Sequence, residues 1–99
     1  TFEGIRIKNT ETDEETNITV DSIFVAIGQQ PDNESFKDVV KLNEYGYIVS
    51  DESCIPEGSV KGIFTAGDCR TKKIRQVTTA AADGAVSAHF AGEYLADRK

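Results

Sequence analysis

Gly62-Ile63-Phe64-Thr65-Ala66-Gly67-Asp68-Cys69-Arg70 decides how this chain is read. Ile63 to Ala66 is apolar with hardly any alternation, the mark of a strand covered on both faces, and Gly67-Asp68 ends it. A short basic loop follows, Thr71-Lys72-Lys73-Ile74-Arg75. From Gln76 to Ala96 the pattern turns helical. Val77, Ala80, Ala81, Gly84, Ala85, Ala88, Ala91 and Leu95 recur at three- and four-residue steps. Strand, polar loop and helix in that order predict an α/β fold with a ligand site at the junction, because ligands of open α/β sheets lie at the carboxyl ends of strands. Gly67 lets a ligand approach the backbone, and Asp68 offers an acceptor to a sugar or polyol hydroxyl. The helix start presents unpaired N–H groups and partial positive charge. Arg70, Lys72, Lys73 and Arg75 add four positive charges within six residues. The bland alternative for the same residues is an Asp68 that caps a turn and basic side chains that are merely solvated. Ala80, Gly84 and Ala88, at i, i+4 and i+8, predict tight helix-on-sheet packing, which gives Gly84 a reason to sit inside a helix at a cost of about 1 kcal/mol.

Working toward the N-terminus, Ile23-Phe24-Val25-Ala26-Ile27-Gly28 is a second continuous apolar run of the buried-strand type. Gln29-Gln30-Pro31-Asp32-Asn33 breaks it with turn chemistry. Phe36, Val39 and Val40 suggest one short helical turn or an irregular apolar patch. Leu42 to Val49, with Tyr45-Gly46-Tyr47 inside, reads as a tight hairpin leading into a short strand, and Asp51 to Gly58 as loop. At the start of the chain Phe2 to Lys8 alternates apolar and charged residues as a half-buried strand does. Asn9 to Asn17 is a polar, acidic hairpin loop, and Ile18 to Val20 pairs back.

Composition narrows the function classes. With 99 residues, the chain makes at most one small domain. No apolar run approaches the roughly 18 residues of a membrane span. A net charge of −6 argues against a general nucleic-acid or acidic-membrane binder. Cys54 and Cys69 form neither a metal box nor a disulfide framework, and a reducing cytosol is the simplest compartment. There is no Met and no secretory signal pattern at Thr1-Phe2-Glu3-Gly4, so the chain is expected to be the C-terminal piece of a longer protein.

Three segments together carry a family resemblance. Ile23 to Asp32 resembles the strand, Gly and x-x-Pro-Asn/Asp segment of two-dinucleotide-binding flavoprotein reductases. Gly62 to Asp68 resembles their second FAD-contacting strand. Arg75-Gln76-Val77, followed by the Ala-rich Thr78 to Ala85, is similar to the C-terminal signature of low-molecular-weight thioredoxin reductases. The order and spacing are family-like, and the resemblance covers essentially the whole chain. It implies an incomplete FAD-binding, Rossmann-like part-domain of antiparallel or mixed strands with one long C-terminal helix. Residues 1–20 would be the terminal hairpin of the NADPH-binding domain, and residues 21–99 the C-terminal part of the FAD-binding domain. Asp68 would hydrogen-bond the ribityl chain of FAD, with Gly67 giving clearance. Arg75, Gln76 and Val77 would lie along the isoalloxazine and ribityl end, with the helix N-terminus at the N1–C2 edge, where reduced flavin carries negative charge.

The resemblance further implies NADPH as the parent's second cofactor, thioredoxin as its partner, a homodimer and a cytoplasmic location, with no role for nucleic acid or membrane. The chain itself carries no G-x-G-x-x-G loop and no Cys-x-x-Cys dithiol, so no catalytic residue and no metal ligand is assigned to it, and it is expected to be inactive alone. Cys69 is read as a passive small residue and His89 as structural. Ser53-Cys54 with Val60 to Cys69 also resembles the flavoprotein subunit of alkyl hydroperoxide reductase, in which Lys is frequent at the position of Arg75. A ferredoxin-NADP reductase type of parent, a free-standing binding module and a purely structural remnant with no ligand complete the alternatives. Unpaired strand edges and a small-residue helix face predict that the isolated piece dimerises or swaps strands.

Overall fold

The computed structural model describes residues 1–98. Its regular elements are strand β1 (Gly4–Lys8), strand β2 (Glu15–Thr19), one turn of 3-10 helix (Glu34–Phe36) and helix α1 (Val77–Asp97). The expected hairpin, short helical turn and long C-terminal helix are all present. β1 and β2 pair antiparallel, with Ile5 opposite Ile18 and Lys8 opposite Glu15. The second strand starts earlier than its apolar residues suggest. Glu15, Thr16 and Asn17 are drawn into the ladder by register, which shortens the acidic loop. Asn9 closes that loop through its Oδ1, which accepts from the Glu11 N–H at 2.9 Å. Gly4 is required sterically, since a Cβ there would collide with the Ile18 carbonyl.

Two expectations are overturned. Neither Ile23–Gly28 nor Ile63–Asp68 forms a strand. An apolar run becomes a buried strand only when a ladder partner takes its N–H and C=O groups and both faces are covered. Among the described residues nothing pairs with Ile23–Gly28, and Phe24 and Ile27 are 93% and 92% exposed. The anticipated mixed sheet is reduced to the two-stranded hairpin and three isolated bridges, Leu42–Ile48, Ile48–Arg70 and Ser50–Pro56.

Those bridges build the body that carries the site. Ile48 is its centre: its N–H donates to the Cys69 carbonyl at 3.0 Å and its carbonyl accepts from Thr71 at 2.8 Å. On the other side the turn closed by Asn43 and Tyr47 returns the chain to Ile48, with Gly46 at φ +87°. Residues 62–67 run antiparallel along α1. Tyr94 packs against Gly62 and meets Phe64 edge-on at 6.3 Å. Ser87 Oγ donates to the Thr65 carbonyl at 2.9 Å. Ala80 reaches Gly67.

The inward face of α1 is therefore Thr79/Ala80, Asp83, Val86/Ser87, Phe90/Ala91 and Tyr94. Of the stripe expected from the sequence only Ala80 and Ala91 lie inside. Val77, Ala81, Gly84, Ala85, Ala88 and Leu95 are exposed, and no atom lies near the Cβ position of Gly84. The tight packing expected there is absent because two polar anchors, Asp83 and Ser87, set the rotation of the helix. Fully buried apolar residues are few, chiefly Val40, Ile48 and Cys54, whereas Asn33, Thr65, Arg70 and Asp83 are buried and polar. Polar clamps hold this body together as much as apolar packing does.

Candidate functional site

The loop between Gly67 and Arg75 is fixed from two sides. Behind it stands Asp83. Its carboxylate accepts from Arg70 Nε at 2.8 Å and Arg70 Nη2 at 2.9 Å, from Lys72 Nζ at 2.9 Å and from the Gly67 N–H at 2.9 Å. The Arg70, Lys72 and Asp83 side chains are 2%, 6% and 9% exposed. Hydrogen bonds from Arg70 hold the Asp83 carboxyl well below the usual carboxylate range, overcoming the opposing effect of burial, and Lys72 and Gly67 assist. The same bonds push Arg70 above its ordinary value. Two of the four basic residues are thus buried against one carboxylate rather than solvated. In the cleft of about 560 Å³ beside them, both buried cations are bonded to Asp83.

In front stands Arg75. Its Nε donates to the Asp68 carbonyl at 3.1 Å and its Nη2 to the Arg70 carbonyl at 3.0 Å. A third tie comes from Asn33, whose Nδ2 donates to the carbonyls of Gly46 and Cys69 at 2.9 Å each. Gly67 adopts φ +92°, in the region that favours glycine, and this turns the chain out of the line along α1 toward Asp68.

These ties bring together segments far apart in sequence. A cavity of about 340 Å³ is lined by Gln29, Gln30 and Pro31, by Tyr47, and by Asp68, Cys69 and Arg75. Of the residues singled out from the sequence, Asp68 and Arg75 line it. Asp68 is exposed, and among the described residues its carboxylate has no hydrogen-bond or ion-pair partner. Gly67 lies behind the cavity on Asp83. Gln76 is the N-cap of α1 and Val77 its first residue; both are exposed. The Thr79 hydroxyl accepts from the Gln76 N–H at 3.1 Å, so this helix start is capped from within.

Cys69 is half-buried, with Sγ 3.4 Å from Thr65 Oγ1 and from the Ala66 carbonyl. His89 is exposed on the far part of α1, 3.3 Å from Glu93. Sequence reasoning missed Asp83, Asn33 and Tyr47. Asp83 lies in the Ala-rich segment read as helix, and Asn33 among residues read as a turn. The sequence signal for Asp83 was its place about two turns into a helix that follows a basic loop.

The donor set can be tested against the flavin that the resemblance implies. A free carboxylate, two amides and a guanidinium beside an aromatic ring suit a neutral, hydroxyl-bearing chain and the edge of a flat ring. The volume lies at the small end of ligand cavities. No glycine loop or unpaired cation cluster lines it for a pyrophosphate. The residues therefore fit the ribityl and ring portion of FAD and leave its phosphates to other parts of a site. Among the described residues no group of three or more His, Cys, Asp or Glu could hold a metal ion, and no helix is long and apolar enough to cross a membrane.

A Clostridium pasteurianum protein described as a 34.2 kDa protein in a rubredoxin operon is 45% identical over 94 residues, covering 95% of this chain and 30% of that protein. Thioredoxin reductase of Treponema pallidum is 41% identical over 92 residues, 93% of this chain and 29% of that one. The crystal structure of Lactococcus lactis thioredoxin reductase matches with a TM-score of 0.74 and 34% identity, over 96% of this chain and 31% of that chain. The chain thus spans about a third or less of the proteins it matches. The pyridine nucleotide-disulphide oxidoreductase family matches residues 2–84, and the chain belongs to that family.

Proposed function

We propose that this chain is the C-terminal FAD-binding segment of an NADPH-dependent thioredoxin-disulfide reductase and supplies one wall of the flavin site. The observation that carries the reading is the cavity in which Gln29-Gln30-Pro31, Asp68 and Arg75 meet, the three segments that carry the sequence resemblance. Relatives named thioredoxin reductase support it over an alkyl hydroperoxide reductase flavoprotein, a ferredoxin-NADP reductase type and a free-standing module.

FAD, when bound, relays reducing equivalents from NADPH to a disulfide. The residues here bind and orient. Asp68 accepts from ribityl hydroxyls, and Gly67 keeps the backbone clear for that approach. Arg75 donates at the ring edge. Gln76 and Val77 stand outside this cavity at the start of α1, whose N-terminal end supplies positive potential toward the flavin. The chain holds neither a dithiol nor a dinucleotide glycine loop, so electron transfer requires the remainder of such an enzyme, and the chain alone is inactive. In the same reading thioredoxin is the parent's partner, the parent is a cytoplasmic homodimer, and residues 1–20 belong with the NADPH-binding domain while residues 21–99 complete the FAD-binding domain. Contacts of β1 with β2 are the ones the hairpin makes with regular elements, which supports treating it as a separate unit.

Titration of the chain with FAD, riboflavin and ADP, followed by flavin fluorescence and calorimetry, tests the reading. Saturable binding of FAD and riboflavin, lost in Asp68→Ala, is expected. Binding of ADP alone, or of none of the three, refutes it.

A further inference from the structure

We propose that Tyr47 is a positioning residue of this site: its ring holds the Arg75 guanidinium, and through Arg75 it fixes the turn that carries Asp68. The inference rests on the flavin reading above. Arg75 Cζ lies 3.8 Å from the centroid of the Tyr47 ring, well inside the range of a cation–π contact. The same guanidinium donates to the carbonyls of Asp68 and Arg70 at 3.1 and 3.0 Å. One planar group therefore joins the hairpin of Tyr47 to both ends of the turn 68–70.

Tyr47 is suited to act as the fixed partner. Its N–H donates to Asn43 Oδ1 at 2.9 Å, and its carbonyl accepts from the Asn43 N–H at 2.9 Å. The next residue, Ile48, is buried and bonded to Cys69 and Thr71. The ring thus stands on the most firmly paired line of the body. Stacking leaves the guanidinium one orientation, in which Nε and Nη2 face the turn. A lysine at 75 could not reproduce this, because an ammonium neither stacks as a plane nor donates in a fixed fork. Tyr47 and Arg75 both line the cavity, so the contact between them lies at the site itself.

The test uses the 99-residue chain with Tyr47→Phe, Tyr47→Leu, Arg75→Lys and the Tyr47→Leu/Arg75→Lys double variant. Without ligand, NMR reads the Arg75 Nε–H. It should exchange slowly in the parent and in Tyr47→Phe, which keeps the ring, and rapidly in Tyr47→Leu. An Nε–H equally protected in Tyr47→Leu overturns the proposal. Should Tyr47→Leu lose its helical circular dichroism, Arg75→Lys carries the same test: the Tyr47 ring resonances must move while those of Tyr94 stay, and unmoved Tyr47 resonances overturn the proposal.

With FAD, Tyr47→Leu should weaken binding about threefold to tenfold and Tyr47→Phe should retain it. The double variant should bind no more weakly than Arg75→Lys alone, since Tyr47 acts through Arg75. Multiplying effects overturn the proposal. If the parent binds no flavin while the Nε–H behaves as expected, the flavin reading fails and the hold of Tyr47 on Arg75 stands.

Discussion

Replacing Asp83 by Asn isolates the clamp behind the site. The substitution keeps shape and volume but removes the negative charge that two buried cations face. Asp83 accepts four hydrogen bonds, three of them from Arg70 and Lys72. Those cations are 2% and 6% exposed, so water cannot replace the lost partner without opening the loop. Removing one member of a buried ion pair costs about 3–5 kcal/mol. A domain of this length has on the order of 5–15 kcal/mol in total, so about a fifth or more of the stability is at stake.

Urea denaturation followed by the α1 ellipticity at 222 nm measures it. With a slope of about 1–3 kcal/mol/M for a small protein, the midpoint should fall by about 1 M or more. Addition of 0.5 M NaCl to the parent should not mimic the variant, since buried pairs are screened little. An Arg70→Met/Lys72→Met/Asp83→Leu variant should recover most of the loss, because an apolar cluster of similar volume leaves no unpaired charge. A Asp83→Asn protein within about 0.5 kcal/mol of the parent, the scatter of ordinary surface substitutions, would refute the assignment of Asp83 as the clamp.

Two further outcomes follow from the same structure. Because Arg70 holds the folded-state carboxyl of Asp83 below its unfolded value of about 3.9, its contribution is complete above that value and is lost as pH falls through the lower folded value. Melting temperature against pH should therefore show an acid limb below about pH 4 that shrinks in Asp83→Asn, and identical limbs in the two proteins would count against it. The exposed surface predicts association. The chain has 8087 Å² of accessible surface, against about 5,500 Å² for a compact monomer of its mass, and a radius of gyration of 20.3 Å, against about 13 Å. Sedimentation should show concentration-dependent self-association that Phe24→Lys weakens, and a clean monomer at high concentration would contradict this.

How far the sequence could be read depended on the range of the interactions involved. Helix α1 was expected over Gln76–Ala96 and is found at Val77–Asp97, because spacing, helix formers and a polar cap are local properties. The Phe2–Lys8 hairpin and the turn before Ile48 were legible for the same reason. The rotation of α1 was not legible. Hydrophobic spacing places an aspartate outside, and Asp83 turns inward only because Arg70 and Lys72, more than ten residues away, reach it. Strands need partners as helices do not, so Ile23–Gly28 and Ile63–Asp68 carried a strand signal that the fold leaves unpaired.

The site divides along the same line. The sequence by itself determined that Gly67-Asp68 ends an apolar run before a basic loop and a helix, and that the chain resembles flavoprotein reductases. Only the tertiary structure decided that Asp68 and Arg75 share a cavity with Gln29 and Tyr47, that two of the loop's cations are buried on Asp83 behind it, and that Gln76 and Val77 stand outside it. Which residues meet is set by the Asp83, Asn33 and Arg75 clamps, each bridging more than one segment, and no local pattern encodes such a meeting.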